Sequence, residues 1–177
     1  MTEAAANTPE FIRQKWCRVR SALSRFTSVG RGTATTLARI DGGLTCRIED
    51  GDWRLTADIP EKGGGSGLGP DPGVLGRGAL ASCLAIGYTA WAAYHELPID
   101  ALEVEVQADY DARPEYGVGE GTPGYEAIRW IVRVESPASE AEIRDVLAIA
   151  EARSPFLALF RNAQDLERSL ELNPSER

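Results

Sequence analysis

A chain of 177 residues, 43% hydrophobic and 26% charged, has the size and composition of one globular domain with enough apolar material to bury a core, which excludes a large two-domain enzyme and global disorder. Its formal charge of −8, from 19 basic against 27 acidic side chains, opposes a phosphate backbone and argues against nucleic acid as a partner. Three cysteines (Cys17, Cys46 and Cys83) without CxxC spacing suggest neither a disulfide framework nor a zinc knuckle, and a single histidine, His95, excludes a His-rich metal centre.

The first nine residues carry neither the basic nor the apolar region of a secretory signal, and no stretch approaches the roughly 18 apolar residues of a membrane span. A reducing, cytoplasmic setting is expected, with no membrane association. From Thr8 to Phe26 apolar residues recur at three and four (Phe11, Ile12, Trp16, Val19, Leu23, Phe26), which predicts a helix capped by Thr8 and opened by Pro9. Its other face carries Arg13, Lys15, Arg18, Arg20 and Arg25, and residues 1–40 hold +5 against −13 for the remainder. Such a face is solvated, docks on an acidic body of its own or a partner chain, or, less readily, lies on a membrane surface.

Period-two alternation then predicts antiparallel strands at about 33–40, 43–49 and 52–59, with Cys46 on an apolar side as a core residue and tight turns at Asp41-Gly-Gly and Asp50-Gly51-Asp52. Residues 61–72 are too rich in glycine to be helix or strand. Asp71 and Pro72 open a helix to Tyr94 that is apolar nearly all round, with Gly76, Ala79, Cys83, Gly87 and Ala90 small enough to admit another backbone, and His95 at its end suits the helix dipole. Strands at 102–110 and 128–134 form a hairpin with a wide loop, and Glu103 and Glu105 share its solvent face. Ser139 with Glu142 marks a capping box for a helix buried through Ile143, Val146, Leu147 and Ala150; Ser154-Pro155 caps a short helix to about Asn162; residues 165–172 alternate weakly, as a last strand would.

Cys83 thus sits midway along a buried helix that follows a glycine loop. The segment GGGSGLGPDPGVLGRGALASC (63–83), the run ELPIDALEVEV (96–106) and the Ser139 helix before Arg153-Ser-Pro resemble the OsmC/Ohr family, the osmotically inducible and organic hydroperoxide resistance proteins. The resemblance covers roughly residues 33–172. It implies an α/β (α+β) fold with antiparallel sheets packed on a buried central helix, in an intertwined homodimer with active sites at the subunit interface. Residues 1–32 would be a helical arm and 33–177 a single OsmC-like domain. Cys83 matches the peroxidatic cysteine, needing neither metal nor other cofactor.

Attack on a peroxide requires a thiolate, and an ordinary thiol is only a few per cent ionised at pH 7. In the family an arginine from the early strands supports it, which is matched here by Arg39. Two positions depart from the pattern. Gly73 and Val74 follow the turn proline where a glutamate is expected, and Ser154 stands at the resolving cysteine, where a hydroxyl cannot form the disulfide. Reduction of organic hydroperoxides would then need an external thiol reductant, or Cys46 or Cys17. The alternative is a catalytically degenerate member that binds a small apolar ligand at the dimer interface; a third reading makes the basic helix an arm that locks a dimer or recruits a partner.

Overall fold

The computed structural model describes residues 7–172. Thr8 accepts a hydrogen bond from the Phe11 N–H and Pro9 fills the first turn, so helix α1 (Pro9–Arg25) begins where its sequence dictates. It docks on its own chain, chiefly through aromatic rings rather than acidic groups. Trp16 meets Trp91 edge-on at 6.0 Å, the Arg20 guanidinium lies 5.1 Å from the Trp91 ring and 4.6 Å from Tyr94, and Arg13 pairs with Glu96 at 2.8 Å.

Three strands follow as an antiparallel meander, β1 (Leu37–Arg39), β2 (Cys46–Asp50) and β3 (Trp53–Ala57), each shorter than its alternation predicts. Gly51, at φ 53°, takes the left-handed conformation that the two-residue β2–β3 turn needs. The sheet makes almost no contact with the helices. Leu37, Leu55 and Trp53 remain exposed on it, Trp53 at 76%. Cys46 is therefore half-buried rather than a core residue, because no layer within the chain covers its strand.

The glycine loop is shaped from beneath by one carboxylate. Asp58, 1% exposed, accepts from the N–H groups of Ile59 at 2.7 Å, Leu68 at 3.2 Å and Ser66 at 3.4 Å, and from the Thr45 hydroxyl at 2.9 Å. Loss of solvent alone would raise its pKa, but these donors, led by Leu68 and Thr45, outweigh that and hold it below the ordinary value. A depressed folded-state pKa gives a contribution that is complete above the unfolded value of about 3.9 and lost as pH falls through the folded one. The amide resonances of Ser66 and Leu68 should therefore shift together below that value, and Asp58→Asn should abolish the transition. The loop also runs against β3: a Cβ on Gly65 would lie 1.9 Å from the Ile59 carbonyl oxygen, and one on Gly69 2.4 Å from that of Thr56. Gly65→Ala is expected to cost more than the ordinary 0.5–1 kcal/mol glycine–alanine difference, roughly 2 kcal/mol or more in urea unfolding, because backbone rather than a movable side chain must yield.

Asp71 accepts from the Val74 N–H at 2.8 Å to start α2 (Pro72–Tyr94). Its far end closes with Leu97 N–H on Ala92 O and Glu96 N–H on Ala93 O, Glu96 standing at φ 58° where glycine is usual and held there by Arg13. The hairpin β4 (Ala101–Tyr110) and β5 (Tyr125–Glu135) pairs Val104 with Val132 and Val106 with Trp130 and packs that face on α2. The opposite face is a ladder of exposed ion pairs, in which Arg133 joins Glu103 and Glu105 and Arg129 joins Asp109. Helices α3 (Glu140–Glu151) and α4 (Pro155–Arg161) complete a core of Leu80, Leu84, Tyr88, Trp91, Val146 and Leu157.

Residues 165–172 form no strand, contrary to their alternation: Leu166, Leu170 and Leu172 are 90%, 74% and 79% exposed. A strand persists only where a neighbouring edge takes its backbone hydrogen bonds, and no edge within the described chain does so. No helix among the described residues is long and apolar enough to cross a membrane.

Candidate functional site

Cys83 lies half-buried in the middle of α2, and the turn between α3 and α4 brings Ser154 to it, Sγ to Oγ 3.5 Å across 71 residues of sequence. Ser154 is 7% exposed and accepts from the Leu157 N–H at 3.2 Å as the N-cap of α4. With one lone pair so engaged, its hydroxyl can still either donate to the sulfur or accept from it.

The approach of these two elements is fixed one turn further along. Tyr88, fully buried, donates to Glu151 at 2.8 Å, tying the end of α3 to α2. Burial first, then the hydrogen bond and the negative charge of Glu151, push the Tyr88 hydroxyl well above its ordinary pKa, so it stays protonated and remains a donor. Arg153 adds a guanidinium 5.0 Å from the Trp91 ring and donates to the Ile149 carbonyl.

At the head of α2 the Tyr125 hydroxyl donates to the Gly73 carbonyl at 3.3 Å and accepts from Arg77 Nη1 at 3.2 Å. A Cβ on Gly73 would meet Arg77 Nη1 at 3.0 Å and Asp71 Oδ1 at 3.1 Å, so this network fills the space where the family pattern calls for a glutamate. Neither Arg77 nor Tyr125 was expected to matter. The available signal was that Arg77 is the one charged side chain in a 23-residue apolar helix.

The other candidates lie apart. Arg39 is exposed on β1, opposite Arg47 in register, and among the described residues makes no hydrogen bond or ion pair with Cys83. Cys17 is exposed on α1, and all three thiols are free. His95 caps α2 and stacks on Trp91 at 5.9 Å. Among the described residues no three His, Cys, Asp or Glu side chains converge as a metal site.

Residues 63–168 match the family model described as OsmC-like protein, which spans the glycine loop, Cys83 and Ser154. The chain belongs to the OsmC-like family. No curated protein matches the OsmC-like chain in sequence. Solved structures share its fold: an OsmC-like protein from Mycoplasma pneumoniae is 20% identical with a TM-score of 0.60, covering 74% of this chain and 87% of its own. An OsmC-like protein of unknown function from Vibrio cholerae is 10% identical with a TM-score of 0.57, covering 73% and 94%. The organic hydroperoxide resistance protein OsmC of Legionella pneumophila is 17% identical with a TM-score of 0.50, covering 73% and 90%. In this OsmC-like chain the matched segment starts after β3, so Arg39 and α1 fall outside it while Cys83 and Ser154 fall within it.

Proposed function

We propose that this OsmC-like protein reduces organic hydroperoxides, with Cys83 as the attacking thiolate and an external thiol as reductant. The observation that carries the reading is the 3.5 Å contact of Cys83 Sγ with Ser154 Oγ at a half-buried site; membership of a family that includes organic hydroperoxide resistance proteins supports it. The sulfur attacks one peroxide oxygen, the O–O bond breaks, and the departing alkoxide takes a proton, leaving alcohol and a Cys83 sulfenic acid. One external thiol condenses with that acid and releases water; a second exchanges with the mixed disulfide, restores Cys83 and leaves as the oxidised reductant. No metal or cofactor enters these steps, and a cytoplasmic setting with its reduced thiols suits them.

The working form is a homodimer. The exposed apolar residues of β1–β3 and the exposed stripe Val74, Gly78, Ser82 and Ile86, spaced by four on α2, are what a second copy would cover. That copy would supply Arg39 to the thiolate. Light scattering should give twice the chain mass, and Arg39→Ala should slow oxidation of Cys83 by about ten-fold or more without changing that mass.

A reading without catalysis, binding a small apolar ligand, is favoured by Gly73, which brings no carboxylate of its own to the position where the family pattern has a glutamate. One experiment separates the two. Reduced protein is given one equivalent of cumene hydroperoxide with a sulfenic-acid trap and followed by intact mass. A single adduct formed within minutes, absent in Cys83→Ser, supports peroxide reduction; an unmodified native chain refutes it.

A further inference from the structure

Among the described residues, two side-chain hydrogen bonds join α2 to the α3–α4 unit: Cys83 with Ser154 at 3.5 Å and Tyr88 with Glu151 at 2.8 Å. The core there is apolar, with Leu80 and Leu84 of α2 clustered with Val146, Ala150 and Leu157. Apolar packing is non-directional and sets a separation rather than a register, whereas a hydrogen bond weakens steeply as its angle departs from a straight line. Tyr88 stands five residues beyond Cys83 on α2, about 7.5 Å along the helix axis. It is 0% exposed, so water does not stand in for its partner. From Glu151 the path back to the sulfur is short. The Glu151 carbonyl accepts the Ser154 N–H at 3.2 Å, and Ser154 is held again by the Leu157 N–H. Glu151 thus sets the place of the Ser154 hydroxyl, and Tyr88 sets the place of Glu151.

We propose that Tyr88 and Glu151 are positioning residues for the chemistry at Cys83, their hydrogen bond fixing where the Ser154 hydroxyl meets the sulfur. The proposal rests on peroxide reduction at Cys83. A sulfur that has lost its proton can only accept, so on the attacking thiolate the Ser154 hydroxyl is the donor, in a charge-assisted bond that orients the sulfur. A displacement of about 1 Å in such an arrangement costs reactivity out of proportion to its size.

Position and chemistry are read separately. Position is read in a Ser154→Cys chain that also carries Cys17→Ser and Cys46→Ser, equilibrated with reduced and oxidised glutathione and followed by intact mass. The protein loses two hydrogens as one glutathione disulfide becomes two thiols. Adding Tyr88→Phe or Glu151→Ala should lower that equilibrium constant by about ten-fold or more, whereas Glu151→Gln, whose amide oxygen still accepts from Tyr88, should stay within about three-fold of the parent. Val146→Ala loosens the same helix contact, at a site 6% exposed, without touching either hydrogen bond. It should lower Tm at least as much as Tyr88→Phe and leave the constant within about two-fold. Chemistry is read with Ser154 in place, as the rate at which cumene hydroperoxide converts Cys83 to its sulfenic acid. Tyr88→Phe and Ser154→Ala should each slow it by about ten-fold, and the two together by no more than either alone, because both act through one contact. A disulfide constant indifferent to Tyr88→Phe, an equal fall in Val146→Ala, no rescue by Glu151→Gln, or additive losses in the double variant would each overturn the proposal. A native chain that forms no sulfenic acid would end the peroxide reading, while the disulfide constants would still decide whether Tyr88 sets the Cys83–Ser154 contact.

Discussion

Ser154→Cys is expected, on the proposed peroxide chemistry, to give a chain that closes its own disulfide within a single peroxide turnover instead of waiting for an outside thiol. The native hydroxyl already lies 3.5 Å from the Cys83 sulfur, so a sulfur at its place starts close to the roughly 2.05 Å of a disulfide. One equivalent of cumene hydroperoxide should give a product lighter than the reduced chain by two hydrogens, and the sulfenic-acid adduct expected of the native protein should be absent. Before oxidation the variant loses an N-cap, since Ser154 holds the Leu157 N–H, and should be less stable by about 1 kcal/mol. After oxidation it should be more stable by about 2–4 kcal/mol, because the bond closes a long loop. A variant that folds normally and still traps as the sulfenic acid would mean that the two side chains do not meet in solution.

Trp91→Ala should have the largest effect on stability. Trp91 is 7% exposed and is met by Trp16 of α1, by Arg20 and Arg153, and by Tyr94 and His95 of its own helix. Truncating a buried tryptophan costs about 3–5 kcal/mol, which at this chain length lowers Tm by about 10 °C. The loss should fall unevenly. Helix α1 keeps Arg13 on Glu96 and Arg20 over Tyr94 but loses the ring that Trp16 packs on, and an exposed ion pair contributes little. Trypsin should then cut within the basic face of α1 well before the rest of the chain unfolds, whereas Leu84→Ala, of comparable stability loss in the core, should leave α1 as resistant as in the native chain. Equal resistance of α1 in both variants would show that rings and guanidinium groups do not hold it.

The four helices were legible because their starts are local chemistry: Thr8, Asp71, Ser139 and Ser154 each accept the backbone N–H three residues on. The β4–β5 hairpin was legible because one face is covered by α2 and the other is solvated, which imposes a strict alternation. The limits of β1–β3 and the fate of residues 165–172 were not, since alternation tells which side of a strand is apolar but not whether anything covers it. The glycine loop identified Cys83, and the family pattern pointed to Ser154. Their contact across 71 residues is tertiary, and so is the link of Arg77 to Tyr125 across 48, for which no local periodicity exists. The docking of α1 was half legible: its basic face was plain, but rings rather than carboxylates receive it.

The isolation of the three-stranded meander has a consequence for how the molecule opens. The β1–β3 ladder is hydrogen-bonded within itself and shares no side chain with the core cluster, so its opening need not wait for the helices to unfold, and its amide protons should exchange as a separate cooperative unit. In a single chain their protection is limited by the small free energy of a three-stranded sheet with an uncovered face. Their exchange rates should thus read out directly whatever comes to lie on that face, while the amides of α2 report the global unfolding of the chain.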